Sequence, residues 1–268
     1  MAIPYYHVDA FTGELFAGNP AGVCILSAFL ADSIMQKIAA ENRHSETAFV
    51  VPRADGDFDL RWFTPKVEDD LCGHATLASA YVLALRKHNV WPVRFHTCSG
   101  MLTVARDTAA HNEDGFEMDF PARPPQPCET PVDLLPALGL KAALVMKSRD
   151  YLVVVDQAEQ VRALSPDIAA LAKLDIVKSG TIVTAPGEGD VDYVCRLFAP
   201  AEGIDEDPAT GSIHCTLAPY WAGRLGKKDT LHAQQLSVRG GYMQCTIGGD
   251  RVKIAGRARL YLHGTLEL

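Results

Sequence analysis

The sequence predicts an α+β protein assembled from two copies of one strand-and-helix unit, with mixed or mostly antiparallel sheets. Three observations carry this expectation. Short segments rich in β-branched and aromatic residues recur along the whole chain, with only a few helical stretches between them. Arg61-Trp62-Phe63-Thr64-Pro65 returns as Arg196-Leu197-Phe198-Ala199-Pro200, the pattern R-x-F-x-P. The stretch from His74 to Tyr81 returns as His214 to Trp221, the pattern H-x-T-L-A-x-x-aromatic.

In chain order, strands are expected over 5–8 and 23–26, each bounded by turn residues. Asp32 is placed to cap a helix that runs to Ala40. Strands follow over 47–51 and 58–62, then a helix from Gly73 to Arg86 and a strand over 93–97. Pro121-Ala122-Arg123-Pro124-Pro125-Gln126-Pro127 holds too many prolines for a regular element and reads as a linker. The halves it separates are 1–115 and 116–268, with the last strand free to return to the first half. The second half repeats the grammar: strands over 151–155, 181–185 and 193–198, a helix from about Gly211 to Leu225, then several strands. Gly240-Gly241 and Gly248-Gly249 mark hairpin turns.

Each R-x-F-x-P copy is followed by a short acidic loop, Glu68-Asp69-Asp70 in one half and Glu202 with Asp205-Glu206-Asp207 in the other. A glycine, Gly73 or Gly211, then opens a helix. The second loop is the longer one, because the histidine motifs are spaced more widely than the arginine motifs. Two matches in the same order around the same loop type point to duplication. The arginine motif and the apolar Thr-Leu-Ala faces are expected to hold the scaffold.

Composition narrows the function classes. The chain has 268 residues, 48% hydrophobic and 22% charged, the balance of a globular protein with a sizeable core. A net charge of −8 with scattered Lys and Arg argues against a nucleic-acid partner. The first residues lack the cationic and apolar regions of a signal peptide, and no apolar run approaches the ~18 residues of a membrane span. The seven cysteines are dispersed and form no C-x-x-C, so neither a disulfide framework nor a structural zinc site is expected. A cytoplasmic protein without a membrane partner fits best. No G-x-G-x-x-G follows a strand and no paired-histidine metal spacing occurs, so no cofactor and no metal are expected.

The chemistry is expected where equivalent loops of the two halves meet in a cleft. One helix start is Cys72-Gly73-His74; the other is reached through Asp207-Pro208-Ala209-Thr210-Gly211-Ser212. Free N–H groups and the positive dipole end suit a carboxylate and the enolate-like charge formed when a neighbouring carbon loses a proton.

These residues resemble a known family. Asp9-Ala10-Phe11-Thr12, Gly18-Asn19-Pro20-Ala21-Gly22-Val23, Ser45-Glu46-Thr47-Ala48-Phe49, Phe63-Thr64-Pro65, the segment Cys72 to Ala78, Asp119-Phe120-Pro121-Ala122 and Glu206 to Ser212 are similar, in order, to the phenazine-biosynthesis (PhzF-like) isomerases. The resemblance implies the diaminopimelate-epimerase fold, two pseudo-symmetric domains that are each a curved sheet around a central helix. It implies Glu46 as catalytic base, with His74 and Asp207 as further catalytic residues. Ser45, Ser212 and Cys72 would contact substrate, with Gly73 and Gly211 as backbone donors. A small anionic carboxylic acid as substrate, no cofactor and a homodimer follow from the same resemblance.

Epimerases and racemases of this fold use two thiols, one at each helix start. Here Cys72 stands at the first start, whereas Ala209-Thr210-Gly211 offers none, and Cys215 lies inside the helix. A single carboxylate performing a 1,3-shift or similar tautomerisation therefore fits better than two opposed bases. Glu206 beside Asp207 leaves two acids as the one that faces the site. A two-base amino-acid epimerase and a non-catalytic binding protein are the alternative readings.

Overall fold

The computed structural model describes residues 1–107, 115–174, 179–226 and 229–268. The first half runs β1 (Ala2–Ala10), β2 (Asn19–Ile25), α1 (Asp32–Asn42), β3 (Glu46–Pro52), β4 (Phe58–Phe63), β5 (Glu68–Asp69), α2 (Gly73–Leu85), β6 (Val93–Thr97), β7 (Gly100–Arg106) and β8 (Gly115–Pro121). The second half opens with β9 (Gln126–Pro127), α3 (Leu134–Ala137), β10 (Leu144–Lys147), β11 (Tyr151–Val154), α4 (Ala158–Arg162) and α5 (Ile168–Leu171). It continues with β12 (Thr181–Pro186), β13 (Tyr193–Ala199), β14 (Ile204–Asp207), α6 (His214–Leu225), β15 (Thr230–Gln235) and β16 (Gly241–Gly248), and β17 (Arg251–Glu267) closes the chain.

The pairing pattern displays the duplication. In the first half β2 and β3 are parallel, β4 turns back antiparallel, β5 pairs with β4, β6 runs parallel to β4, and β7 returns along β6. In the second half β11 and β12 are parallel, β13 is antiparallel, β14 pairs with β13, β15 runs parallel to β13, and β16 returns along β15. The long helix of each half, α2 or α6, lies between the short acidic strand and the parallel return strand.

The chain forms two compact units, one of residues 1–120 with 253–268 and one of residues 121–252. The expected boundary at 115 falls five residues short, because β8 pairs antiparallel with β7 through Phe116–Asp119 and stays with the first unit. β17 belongs mostly to the first unit, where it pairs antiparallel with β1 along Ala2–Ala10.

In the first unit β3 is flanked by β2 and β4, and both of its faces are covered. Phe49 and Val51 face α1 and pack with Met35 and Ile38. Ala48 and Val50 alternate to the other face, are fully buried, and lie on the side where α2 packs. α2 itself is buried from Gly73 through Leu83, which is why its sequence is apolar on every side. The second unit has its own core, built from Leu134, Val153, Val161, Val183 and Phe198 among others.

The expected strands and the three expected helices lie on observed elements, with four differences. Asp32, expected to cap α1, is its first helical residue instead; Ala31 holds the cap position, and the Asp32 carboxylate accepts from Arg61. The two acidic loops are partly strands, β5 and β14, because each pairs back on the strand that precedes it. The proline-rich linker contains β9, which pairs with β10 through Met146 and Pro127. The helix expected from Gly211 begins as a tighter turn. His214 N–H bonds Gly211 O, Cys215 N–H bonds Ser212 O and Thr216 N–H bonds Ile213 O, and regular α-helix starts at His214. Among the described residues no helix is long and apolar enough to cross a membrane.

Candidate active site

Strand alternation puts the first residue of β3, Glu46, on the same face as Ala48 and Val50, toward α2. There it meets His74, the second residue of that helix: His74 Nε2 is 3.2 Å from Glu46 Oε2. The pair is close but lacks the alignment of a hydrogen bond. The other ring nitrogen, Nδ1, lies 3.4 Å from Cys72 Sγ. Glu46, Cys72 and His74 are 6, 4 and 3% exposed, so the three groups share one enclosed site. Gly73 between them is buried and Ser45 is half-buried.

Burial pushes the His74 imidazolium down to about 3, with the charge of nearby His44 adding to the shift. His74 is therefore a neutral imidazole at physiological pH, and its contact with Glu46 is not an ion pair. α2 begins without a side-chain cap, so the first-turn N–H groups keep their donor capacity for a ligand.

In the second unit, Asp207 closes β14 and is buried. Its carboxylate accepts from the Thr210 hydroxyl. Neighbouring Glu206 points elsewhere and forms a two-pronged pair with Arg196, at 2.7 and 2.9 Å. The same arginine–glutamate fork occurs in the first unit between Arg61 and Glu68, both bonds being 2.7 Å. The R-x-F-x-P arginines thus fasten the acidic strands, and in the second unit the arginine takes Glu206 rather than Asp207. Gly211 is buried and Ser212 half-buried.

Three residues that the sequence reading missed support this loop. Gln235 is fully buried; its amide donates to Asp207 O at 2.6 Å and its carbonyl accepts from Thr210 N–H at 2.7 Å. The signal was present, since Leu231, Ala233 and Gln235 alternate inward along β15 and the last is polar. Ser237 Oγ donates to Pro208 O at 2.6 Å. Tyr193 is fully buried, with its hydroxyl 2.7 Å from His214 Nδ1.

The matched registers show what the second unit lacks. Thr47 pairs with Phe63 as Thr181 pairs with Phe198, so Glu46 corresponds to Gly180. A Cβ at Gly180 would lie 2.7 Å from Leu197 Cδ1 and 3.3 Å from Phe198 O. The histidine motifs align His74 with His214, which sets Ser212 in the place of Cys72. At these matched positions the buried carboxylate and the thiol are therefore present in the first unit only. A separate groove of about 460 Å³ between α1 and the end of β17, lined by Ile34, Ile38 and Leu266 among others, contains none of the expected site residues.

A family model described as phenazine biosynthesis-like protein matches residues 8–264. The chain is 52% identical over 269 residues to an uncharacterized isomerase of Pseudomonas aeruginosa, with 100% of both chains covered. Among solved structures it resembles a PhzF-family phenazine biosynthesis protein of Enterococcus faecalis, with a TM-score of 0.91, 43% identity and both chains fully covered. A predicted epimerase of Pseudomonas aeruginosa shares the fold at a TM-score of 0.79 and 19% identity, covering 98% of this chain and 99% of that one. The class is thus an isomerase with a duplicated α+β fold of the diaminopimelate-epimerase type. The chain belongs to the phenazine biosynthesis-like, or PhzF, family.

Proposed function

We propose that the protein removes a proton from a carbon activated by the carboxylate or enamine of a small carboxylic acid and returns it elsewhere on the same face. Glu46 is the base. The observation that carries this reading is the asymmetry of the repeat: a buried carboxylate beside a neutral imidazole in one unit, and Gly180 at the matching position of the other.

The Glu46 carboxylate takes the proton, and the C–H electron pair moves into the conjugated system, placing negative charge on a substrate oxygen. The N–H groups at the start of α2, Gly73 among them, are the donors suited to that charge. Protonated Glu46 then delivers the proton two atoms away, which completes a 1,3-shift without a cofactor. Because it is neutral, His74 steers the Glu46 carboxyl without neutralising it. Asp207 is assigned to assist reprotonation, and Ser45, Gly211, Ser212 and Cys72 to substrate contacts. A two-base epimerase would need a second base matched to Glu46 or a second thiol matched to Cys72, and Gly180 and Ser212 stand there instead.

The test is solvent-deuterium exchange. The protein is incubated in D₂O with a panel of small carboxylic and amino acids, followed by mass and NMR, with Glu46→Gln alongside. Exchange or isomerisation that disappears in the variant supports the reading. Exchange that persists in Glu46→Gln, or stereochemical inversion that requires Cys72, rules it out.

A further inference from the structure

The cluster around Glu46 also has the composition of a metal site. A carboxylate oxygen, a thiol sulfur and an imidazole nitrogen from Glu46, Cys72 and His74 lie within 4.8 Å of one another. Each sits on a short, fixed lever: Cys72 and His74 flank Gly73 at the start of a buried helix, and Glu46 begins a strand hydrogen-bonded on both sides. His74 Nε2 is enclosed, makes no hydrogen bond, and is directed at the carboxylate 3.2 Å away. Nδ1 meets the sulfur at 3.4 Å, so either ring nitrogen has another donor beside it.

We propose that Glu46, Cys72 and His74 form an inhibitory binding site for a thiophilic divalent cation, with zinc as the reference ion. Three protein ligands of sulfur, nitrogen and oxygen type with a fourth position open is a set that zinc accepts. Zinc bonds of about 2.0–2.3 Å place tetrahedral donors roughly 3.3–3.8 Å apart. The three donor atoms already lie within 4.8 Å of one another, so each gap closes by no more than about 1–1.5 Å, within reach of side-chain rotation. The Cys72 thiol gives its proton to solvent as sulfur bonds the metal. One proton is released per ion and no electron is transferred. The trio Asp55, Asp57 and His96, exposed or half-buried, is a poor rival, since Arg53 and Arg94 already occupy its carboxylates and their guanidinium charges repel a cation.

Inhibition rests on the proposed role of Glu46, because a carboxylate bound to metal cannot act as a base; binding itself does not. The experiment therefore reads binding first. The full chain is titrated with Co²⁺ alone, then with Zn²⁺ as competitor. The expected result is a thiolate-to-cobalt charge-transfer band at one ion per chain, displaced by zinc. Cys72→Ser abolishes the band, and Cys98→Ser, at the one exposed cysteine among the described residues, leaves it intact. Glu46→Gln keeps the band but weakens zinc binding by about 10-fold or more, a check that survives if Cys72→Ser does not fold. No band, or a band that follows Cys98, overturns the proposal. Once exchange activity is in hand, zinc should suppress it and a chelator restore it. Binding through Cys72 that leaves exchange untouched overturns the inhibitory role and removes Glu46 as the base, while the metal site stands.

Discussion

Arg196 and Glu206 form a two-pronged ion pair that holds β14 against β13 and turns Glu206 away from its buried neighbour Asp207. The arginine side chain also donates to Val161 O at 3.2 Å and Leu164 O at 2.8 Å, so one guanidinium joins three segments of the second unit. Its counterpart, Arg61 with Glu68, does the same for β5 and adds a bond to Asp32 at 2.9 Å.

This arrangement separates the effects of two neighbouring substitutions. Glu206→Gln should cost about 1–3 kcal/mol of stability, because it removes a charge-assisted partner from a largely buried arginine. Its effect on turnover should stay within roughly 3-fold. Asp207→Asn should do the reverse, with exchange slowed by about 10²-fold or more and a urea midpoint close to wild type. Urea unfolding and deuterium-exchange rates on the same two preparations check both halves. A Glu206→Gln enzyme as inactive as Asp207→Asn would refute the division.

Glu46→Gln should slow proton exchange by about 10²–10⁴-fold, the usual worth of a positioned general base. The fold should not suffer. The substitution keeps the size and shape of the side chain, so the denaturation midpoint should stay close to wild type. A midpoint that drops sharply together with activity would mean the carboxylate holds the fold, and the loss of rate would then say little about catalysis.

The duplication was legible because its markers are fixed by backbone geometry. An arginine must reach the acidic strand, a proline must end the preceding strand, and a histidine must sit at the start of the long helix. The inward position of Glu46 could be anticipated only through the family motif, since one acid at a strand start says nothing about which face it takes. The alternation that turns it toward α2 depends on which neighbours of β3 are covered by α1. Gln235 and Tyr193 stayed hidden for a related reason. Their partners are 28 and 21 residues away in sequence, and no local pattern brings them together. The short strands β5 and β14 were misread because acidic residues favour loops until an arginine across the ladder neutralises them.

Gln235 holds the Asp207 loop from behind, and Gln235→Leu tests how much that matters. The substitution leaves Asp207 O and Thr210 N–H without their buried partner, at a cost of about 2–4 kcal/mol. The loop should loosen before the unit unfolds, so native-state hydrogen exchange at Thr210 should rise more than exchange in β12 or β13. Equal increases at all three would show that Gln235 fills space and does not position Asp207.

His214 makes the protein less stable in mild acid. Burial alone pushes its imidazolium down to about 3, against 6.5 for an unburied histidine. The folded state therefore binds fewer protons than the unfolded chain between those values, so stability is complete above about pH 6.5 and falls as pH drops toward 3. One such group contributes a slope of up to about 1.4 kcal/mol per pH unit. The groups in contact with the ring are Tyr193, whose hydroxyl is 2.7 Å from Nδ1, and Cys245 behind it, 3.6 Å from that hydroxyl. Both stay neutral there, because burial raises the pKa of each. Neither can offset an imidazolium charge. His74 adds a loss of the same sign, so the wild-type slope should reflect two histidines and that of His214→Asn one. Urea midpoints measured from pH 7.5 to 5.5, above the range where ordinary carboxylates titrate, isolate the term. If wild type and variant lose stability in parallel over that window, His214 already accepts a proton in the folded protein.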